Sequence, residues 1–325
     1  MLRAYGPGCD GSVIDASKGE IPKSATWLDL LEPTKEEEAL VEKNLGLGVP
    51  TREEMTEIEP SSRLFGRDHA LYMTMSTLTG VEAGKPVVTP VSFLLCGNRL
   101  VTVRYETPKP FRLLSEEAAK NPEVSGTAMV VLLRLLDAIV ERLADELEDL
   151  GAKMDELSTD IFCGEDDSRR IPARHLTRLL SRIGRTQALL VRIRETAVSA
   201  ARLITFLEGS EQLADKKQAH IREHVGSIGH DVKSLIDHSA FLSDNLTFIL
   251  DASLGLISIE QNGAMKLFSW VAVVFMPPTL VAGVYGMNFD HMPELHWTLG
   301  YPMAVVLMVA SGVLPLLYLK ARRWI

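Results

Sequence analysis

The sequence predicts an α+β cytosolic domain followed by a long helical stalk and two transmembrane helices per chain. Three observations carry this. No Asp, Glu, Lys or Arg lies between Lys266 and Asp290, and none lies between Glu294 and Lys320. Each gap is long enough for a helix to cross a hydrocarbon core of about 30 Å, which takes roughly 20 apolar residues. From Glu211 a helical pattern runs without proline to Met276, so it passes from water into the bilayer unbroken. Residues 1–122, by contrast, hold short apolar runs punctuated by Gly and Pro, the pattern of strands and turns. The mean hydropathy of +0.09 hides this split, because the apolar excess is concentrated near the C-terminus.

In chain order, residues 1–122 read as an α/β domain. Its candidate strands are Trp27–Leu30, Ala70–Leu78, Val91–Cys96 and Leu100–Tyr105, the last two joined by a two-residue turn at Gly97-Asn98. Thr34–Leu45 reads as a helix with Thr34 as its cap and Glu36, Glu37 and Glu38 near the positive end of its dipole. Residues 123–210 read as a helical hairpin. Its first arm, Thr127–Phe162, is acidic; its second, Arg174–Glu208, is basic, with Arg178, Arg185 and Arg192 at heptad spacing. Residues 211–264 form the stalk helix, 265–288 the first transmembrane helix, 289–298 an external loop, 299–320 the second transmembrane helix and 321–325 a basic tail. A stalk and span that together approach roughly 100 Å need other helices or other copies to pack against.

A net charge of -9 argues against nucleic acid as a partner and suits cations. Cys9, Cys96 and Cys163 are isolated and lack metal-type spacing, as expected of reduced thiols in a cytosol. Met1-Leu2-Arg3 leads into Gly-rich sequence, so no signal peptide is expected. The loop between the spans carries Asp290 and Glu294 but no Lys or Arg, whereas Lys266, Lys320, Arg322 and Arg323 flank the other side. Basic residues favour the cytoplasm, which places both termini inside a cell membrane and the loop outside.

One column along the long helix points to chemistry. Asp237, Asp244 and Asp251 recur every seven residues, and Ser258, Met265, Ala272 and Thr279 continue the register. A gentle supercoil keeps such positions on one face. Carboxylates before the membrane and small, apolar or hydroxyl-bearing side chains inside it are what a pore lining needs. The plainer account is an amphipathic surface with ordinary exposed acids. His220 and His224 stand i, i+4, which suits a shared metal, but no third ligand follows at fitting spacing.

The run Phe275-Met276-Pro277-Pro278-Thr279 through Gly283-Val284-Tyr285-Gly286-Met287-Asn288, then Met292-Pro293-Glu294-Leu295 and Trp297, resembles the CorA family of magnesium channels. Trp27-Leu28-Asp29-Leu30 and Glu32-Pro33 extend the likeness into the soluble part. The resemblance implies a funnel-shaped homopentamer whose first span lines the path. Met265, Phe268, Ala272, Met276, Thr279 and Asn288 would then face the pore, with Gly286, Met287 and Asn288 as selectivity filter. Many relatives carry Leu where Phe268 stands, so this ring is bulkier; an apolar ring of that kind can gate by dewetting. Mg²⁺ dehydrates reluctantly and prefers octahedral oxygen ligands, and a neutral Asn288 ring can hydrogen-bond its water shell without stripping it. Gly286 is expected to give the backbone freedom to end the helix. Asp290 and Glu294 would concentrate cations at the external mouth, and Lys266, Lys320, Arg322 and Arg323 would form a basic collar at the exit.

The implied function is Mg²⁺ influx through the lipid bilayer, driven by a membrane potential worth about 4.6 kcal/mol for a divalent ion at 100 mV, with Co²⁺ and Ni²⁺ as further candidates. Mg²⁺ is both cargo and regulator, bridging carboxylates such as Asp237, Asp244 and Asp251 between subunits to hold the pore closed. No enzymatic step and no organic cofactor are expected. Two alternatives stand beside it. A zinc or other divalent transporter of the ZntB branch would share the fold, but that branch alters the Met of the triplet and lacks Met-Pro-Glu-Leu. A non-conducting membrane scaffold or sensor leaves the loop motif unexplained.

Overall fold

The computed structural model describes residues 1–57, 59–162, 173–213, 218–287, 292–293 and 297–322. The chain divides into two compact units. The first holds the sheet, its helices and the long helix as far as Leu250; the second holds that helix from Asp251 and the C-terminal helix.

The strands are β1 (Leu2–Gly6), β2 (Cys9–Val13), β3 (Trp27–Leu31), β4 (Leu64–Arg67), β5 (Ala70–Thr79), β6 (Val87–Cys96) and β7 (Arg99–Arg104). They form one sheet in the order β2-β1-β3-β7-β6-β5-β4. Only the β3–β7 pairing is parallel, with Trp27 opposite Leu100 and Leu31 opposite Arg104. The expected hairpin is present: β6 and β7 pair antiparallel out to Cys96 opposite Arg99, around Gly97 with φ of 55°. β1, β2 and β4 carry no clear strand signal in sequence because they are short and hold Gly or mixed polarity.

Both faces of the sheet are covered, so β3 and β7 read as unbroken buried runs rather than alternating ones. One face packs Leu28, Leu30, Leu94, Val101 and Val103 with Leu40 and Val41 of α1 (Lys35–Leu45) and Met55 of α2 (Arg52–Thr56). The other face carries Phe93, whose ring lies 6.0 Å from that of Phe111 of α4 (Lys109–Lys120), tilted by 32°. Helix α1 begins as expected: Thr34 accepts from the Glu37 N–H while the Glu37 carboxylate accepts from the Thr34 N–H. Between α2 and β4 lies the short α3 (Pro60–Arg63).

The acidic arm is α5 (Ala128–Phe162) and the basic arm is α6 (Ala173–Glu208). Across them Arg182 reaches Asp160 at 2.6 Å and Glu156 at 3.1 Å. Arg178, Arg185 and Arg192 make no ion pair among the described residues, so most of the charge on these arms is simply solvated.

The long helix α7 spans Ala219–Tyr285 and begins later than the sequence pattern suggests. Glu211–Leu213 forms a separate 3-10 turn, in which Leu213 is fully buried and its carbonyl accepts from the Arg222 guanidinium. Within the first unit α7 buries a heptad seam of Val225, Val232, Ser239 and Leu246 with Ile228, Leu242 and Ile249. Gly226 and Gly229 are the places where this helix would bend most easily, yet it packs closely at Gly229. A Cβ at Gly229 would come 3.3 Å from Ile204 of α6, and the helix runs through both without a break.

Candidate functional site

The second unit is built from α7 beyond Asp251 and α8 (Gly300–Ala321). These are the described helices long and apolar enough to cross a membrane. Helix α7 continues through Pro277 and Pro278. Proline has no N–H, so the carbonyls of Val273 and Val274, four residues earlier, lose their helical donors. At that point α8 presents Gly312: a Cβ there would lie 3.3 Å from Pro278 Cγ and 3.4 Å from the Val274 carbonyl oxygen. Gly300, Ala304 and Gly312 are the small buried residues of α8, and small side chains are what let transmembrane helices approach closely. That spacing stands in the sequence itself, but small residues alone do not say which helix they face.

Beyond Lys266 the half-buried positions of α7 are Trp270, Val274, Pro277, Pro278, Val281 and Tyr285, one face of the helix and the face that meets α8. The residues singled out as pore-lining fall half a turn away. Met265, Phe268 and Met276 are 66%, 71% and 68% exposed, and Ala272 and Thr279 are exposed beside them. Exposed apolar side chains this large on a face their own chain leaves open are covered in a bilayer either by lipid or by another copy. The Thr279 hydroxyl donates to the Phe275 carbonyl at 2.7 Å, which leaves its oxygen lone pairs free to face outward.

In the first unit Asp237 and Asp244 are exposed, opposite the buried seam, and Asp251 is exposed at the start of the second. Seven residues of helix separate neighbours by about 10 Å, far more than one divalent ion bridges with ligand bonds of about 2.0–2.6 Å. No cluster of three or more potential metal ligands forms among the described residues. A shared cation on this column therefore needs carboxylates from further copies. The His220–His224 pairing dissolves: His224 Nε2 sits 2.8 Å from Asp137 Oδ2 of α5, a partner 87 residues away that helix spacing cannot reveal.

At the end of α7 the Gly286 N–H donates to the Ala282 carbonyl at 2.9 Å. Gly286 is not in the left-handed region, contrary to the expected cap; a Cβ there would stand 2.8 Å from that same carbonyl oxygen. Glycine is required here by close approach rather than by φ. Met287 follows, 51% exposed. Asn288, Asp290, Glu294 and Arg323 lie outside the described residues. Lys266, Lys320 and Arg322 are exposed, with the Arg322 guanidinium 5.7 Å above the Tyr318 ring.

The class is thus a membrane protein with a seven-stranded α/β domain and two apolar helices, the first of them the end of one 67-residue helix. A family profile described as "CorA-like Mg2+ transporter protein" matches residues 22–322, and the chain belongs to that family. It is 34% identical to the magnesium transport protein CorA of Escherichia coli K12 over 302 residues, covering 93% of this chain and 92% of that one. The CorA protein of Salmonella typhimurium is 34% identical over 301 residues, with the same coverage of 93% and 92%. Among solved structures, the complete CorA magnesium transporter of Methanocaldococcus jannaschii superposes with a TM-score of 0.76 at 20% identity, covering 100% of this chain and 99% of that one. The full-length CmaX protein superposes with a TM-score of 0.62 at 16% identity, covering 96% and 91%.

Proposed function

We propose that this protein is a Mg²⁺ channel that works as a homopentamer in the cell membrane, with both termini in the cytoplasm and Mg²⁺ moving inward down the membrane potential. The observation that carries this reading is the open face of α7, with Met265, Phe268, Ala272, Met276 and Thr279 exposed on the side away from α8. A single copy would leave that face, Thr279 included, to lipid. Several copies around an axis would bury it and line a path with it. The names of the curated relatives, magnesium transport proteins, give the ion.

In this reading Phe268 forms an apolar ring that stays dry when narrow and conducts when widened. Thr279 and the Gly286-Met287-Asn288 turn supply oxygens that hydrogen-bond a hydrated ion, so Mg²⁺ keeps the water it sheds reluctantly. Asp290 and Glu294 gather cations at the mouth, and Lys266, Lys320, Arg322 and Arg323 set the inner boundary. Nothing is broken or formed covalently, so no catalytic residue is assigned. Co²⁺ and Ni²⁺, with similar hydrated size and charge, are secondary substrates.

The test is flux. Purified protein in liposomes with an inside-negative potential and an enclosed Mg²⁺ indicator should take up Mg²⁺, with Co²⁺ and Ni²⁺ competing and Zn²⁺ competing poorly. Asn288→Ala should assemble normally and slow uptake about tenfold or more, the loss of one hydrogen bond of about 1.4 kcal/mol from the hydrated ion. Uptake of Zn²⁺ in preference to Mg²⁺ would move the protein to a zinc-transporting role, and no flux of any divalent ion would leave a scaffold.

A further inference from the structure

A basic hollow lies in the first unit, outside the apolar helices. It lies where the β5–β6 turn, the start of α4 and the middle of α5 meet, and it encloses about 200 Å³. Organic ligands usually occupy roughly 300–1,000 Å³, so this volume suits a small ion or one terminal group of a larger molecule. Its walls carry Lys109, Arg112 and Arg142 against the single acid Glu82, a local positive excess in a chain of net charge -9. Helix α4 adds to it, beginning behind Pro108 with no side-chain cap and no acid in its first turn.

Glu82 is placed deliberately. Gly80 and Gly84, with φ of +71° and +68°, shape the turn that carries it, and a Cβ at Gly80 would come 2.3 Å from the Lys85 carbonyl oxygen. The Lys85 N–H closes the turn onto the Gly80 carbonyl at 3.0 Å. Held there, Glu82 bonds Lys109 at 3.1 Å but stands 3.8 Å from Arg112 and 3.9 Å from Arg142, beyond hydrogen-bond reach. The lysine bond and the lysine charge hold its carboxyl below the ordinary range. Arg142 also pairs with Glu146, whose carboxyl burial pushes up against the pull of Arg142. Two carboxylates, Glu82 and Glu146, thus stand against three cations, which leaves the hollow one net positive charge, with Arg112 outside hydrogen-bond reach of Glu82. Two guanidiniums bring five donors each, and a tetrahedral oxyanion offers more acceptors in the fork geometry arginine prefers.

We infer that this hollow is a binding site for a phosphate group, with Lys109, Arg112 and Arg142 as its ligands and Glu82 as a built-in competitor that a phosphate displaces. The phosphate is either free or the end of a nucleotide, and affinity separates the two. Titration calorimetry on full-length protein in detergent, in chloride buffer with EDTA, would use inorganic phosphate in one series and ATP in the other. Glu82→Gln, which keeps the shape and removes the competing charge, should bind phosphate about tenfold more tightly than the parent, the size of one charge-assisted hydrogen bond. Lys109→Met with Arg112→Met should weaken binding by about tenfold or more on the same grounds. Equal affinities for the two probes mark a free-phosphate site; ATP bound about tenfold more tightly marks a nucleotide site. The inference is overturned if Glu82→Gln binds neither probe more tightly than the parent, in which case Glu82 is only an ionic clasp. It is equally overturned if the double methionine variant binds as the parent does. Should that variant not stay monodisperse, the Glu82→Gln comparison decides alone.

Discussion

Asp29 keeps a carboxylate at 2% exposure in the middle of the sheet. Arg104 meets it with two bonds, Nη2 to Oδ2 at 2.7 Å and Nε to Oδ1 at 3.0 Å. The Thr102 hydroxyl donates to Asp29 Oδ1 at 2.8 Å while accepting from Trp27 Nε1 at 2.9 Å. Arg104 directs Nη1 to the Glu106 carbonyl and the Thr107 hydroxyl. A buried pair this well satisfied contributes modestly when intact, but losing one partner strands a charge and costs about 3–5 kcal/mol. Arg104→Leu should therefore lower the thermal midpoint of the soluble domain sharply, whereas Asp29→Leu combined with Arg104→Leu should recover most of it. Equal losses in the single and double variants, followed by circular dichroism, would show that packing rather than the stranded charge is at stake. The strand was legible in sequence as Trp27–Leu30, Asp29 included, one residue short of its observed end at Leu31. Its partner was not, because Arg104 is 75 residues away and reaches Asp29 only through the parallel β3–β7 pairing. The same limit hid Asp137 from His224.

Whole elements were more legible than their contacts, since periodicity is local and packing is not. The period of α7 and the charge gaps that mark both apolar helices stand in the sequence itself. Which face of α7 meets α8 followed only from the structure, and it rests on Gly312. A Cβ at 3.3 Å from Pro278 and 3.4 Å from the Val274 carbonyl is already tight. Gly312→Leu should force the helices apart at a cost of about 1–3 kcal/mol, seen as loss of monodisperse protein on size exclusion and loss of uptake. Gly312→Ala, which asks for a few tenths of an ångström, should be far milder; equal damage from both would place the constraint elsewhere. The opposite face carries the proposed gate. Phe268→Gly should wet the ring and raise flux at high internal Mg²⁺, and Phe268→Ala serves as control because Gly alone costs a helix about 1 kcal/mol. If both variants stay as tightly shut as the parent, Met276 becomes the better candidate for the constriction.

For the whole molecule the question is what the acidic column does once copies come together. Asp237, Asp244 and Asp251 are exposed, carry no ion pair among the described residues, and share a register with the proposed pore-lining positions. In a pentamer each level would bring several carboxylates toward one axis. Like charges repel, and in partly desolvated surroundings the repulsion exceeds its value in water. A divalent ion among them removes that repulsion and draws the helices together. Mg²⁺ would then hold the stalk compact and the Phe268 ring narrow, and its loss would let the stalk splay. Replacing all three by Asn abolishes the repulsion without the ion. The triple variant should keep α7 protease-resistant from Ala219 to Ala264 in EDTA, where the parent becomes susceptible, and its flux should no longer fall as internal Mg²⁺ rises. A triple variant as sensitive to EDTA as the parent would remove the column from the control of the pore and shift it to carboxylates on neighbouring soluble domains.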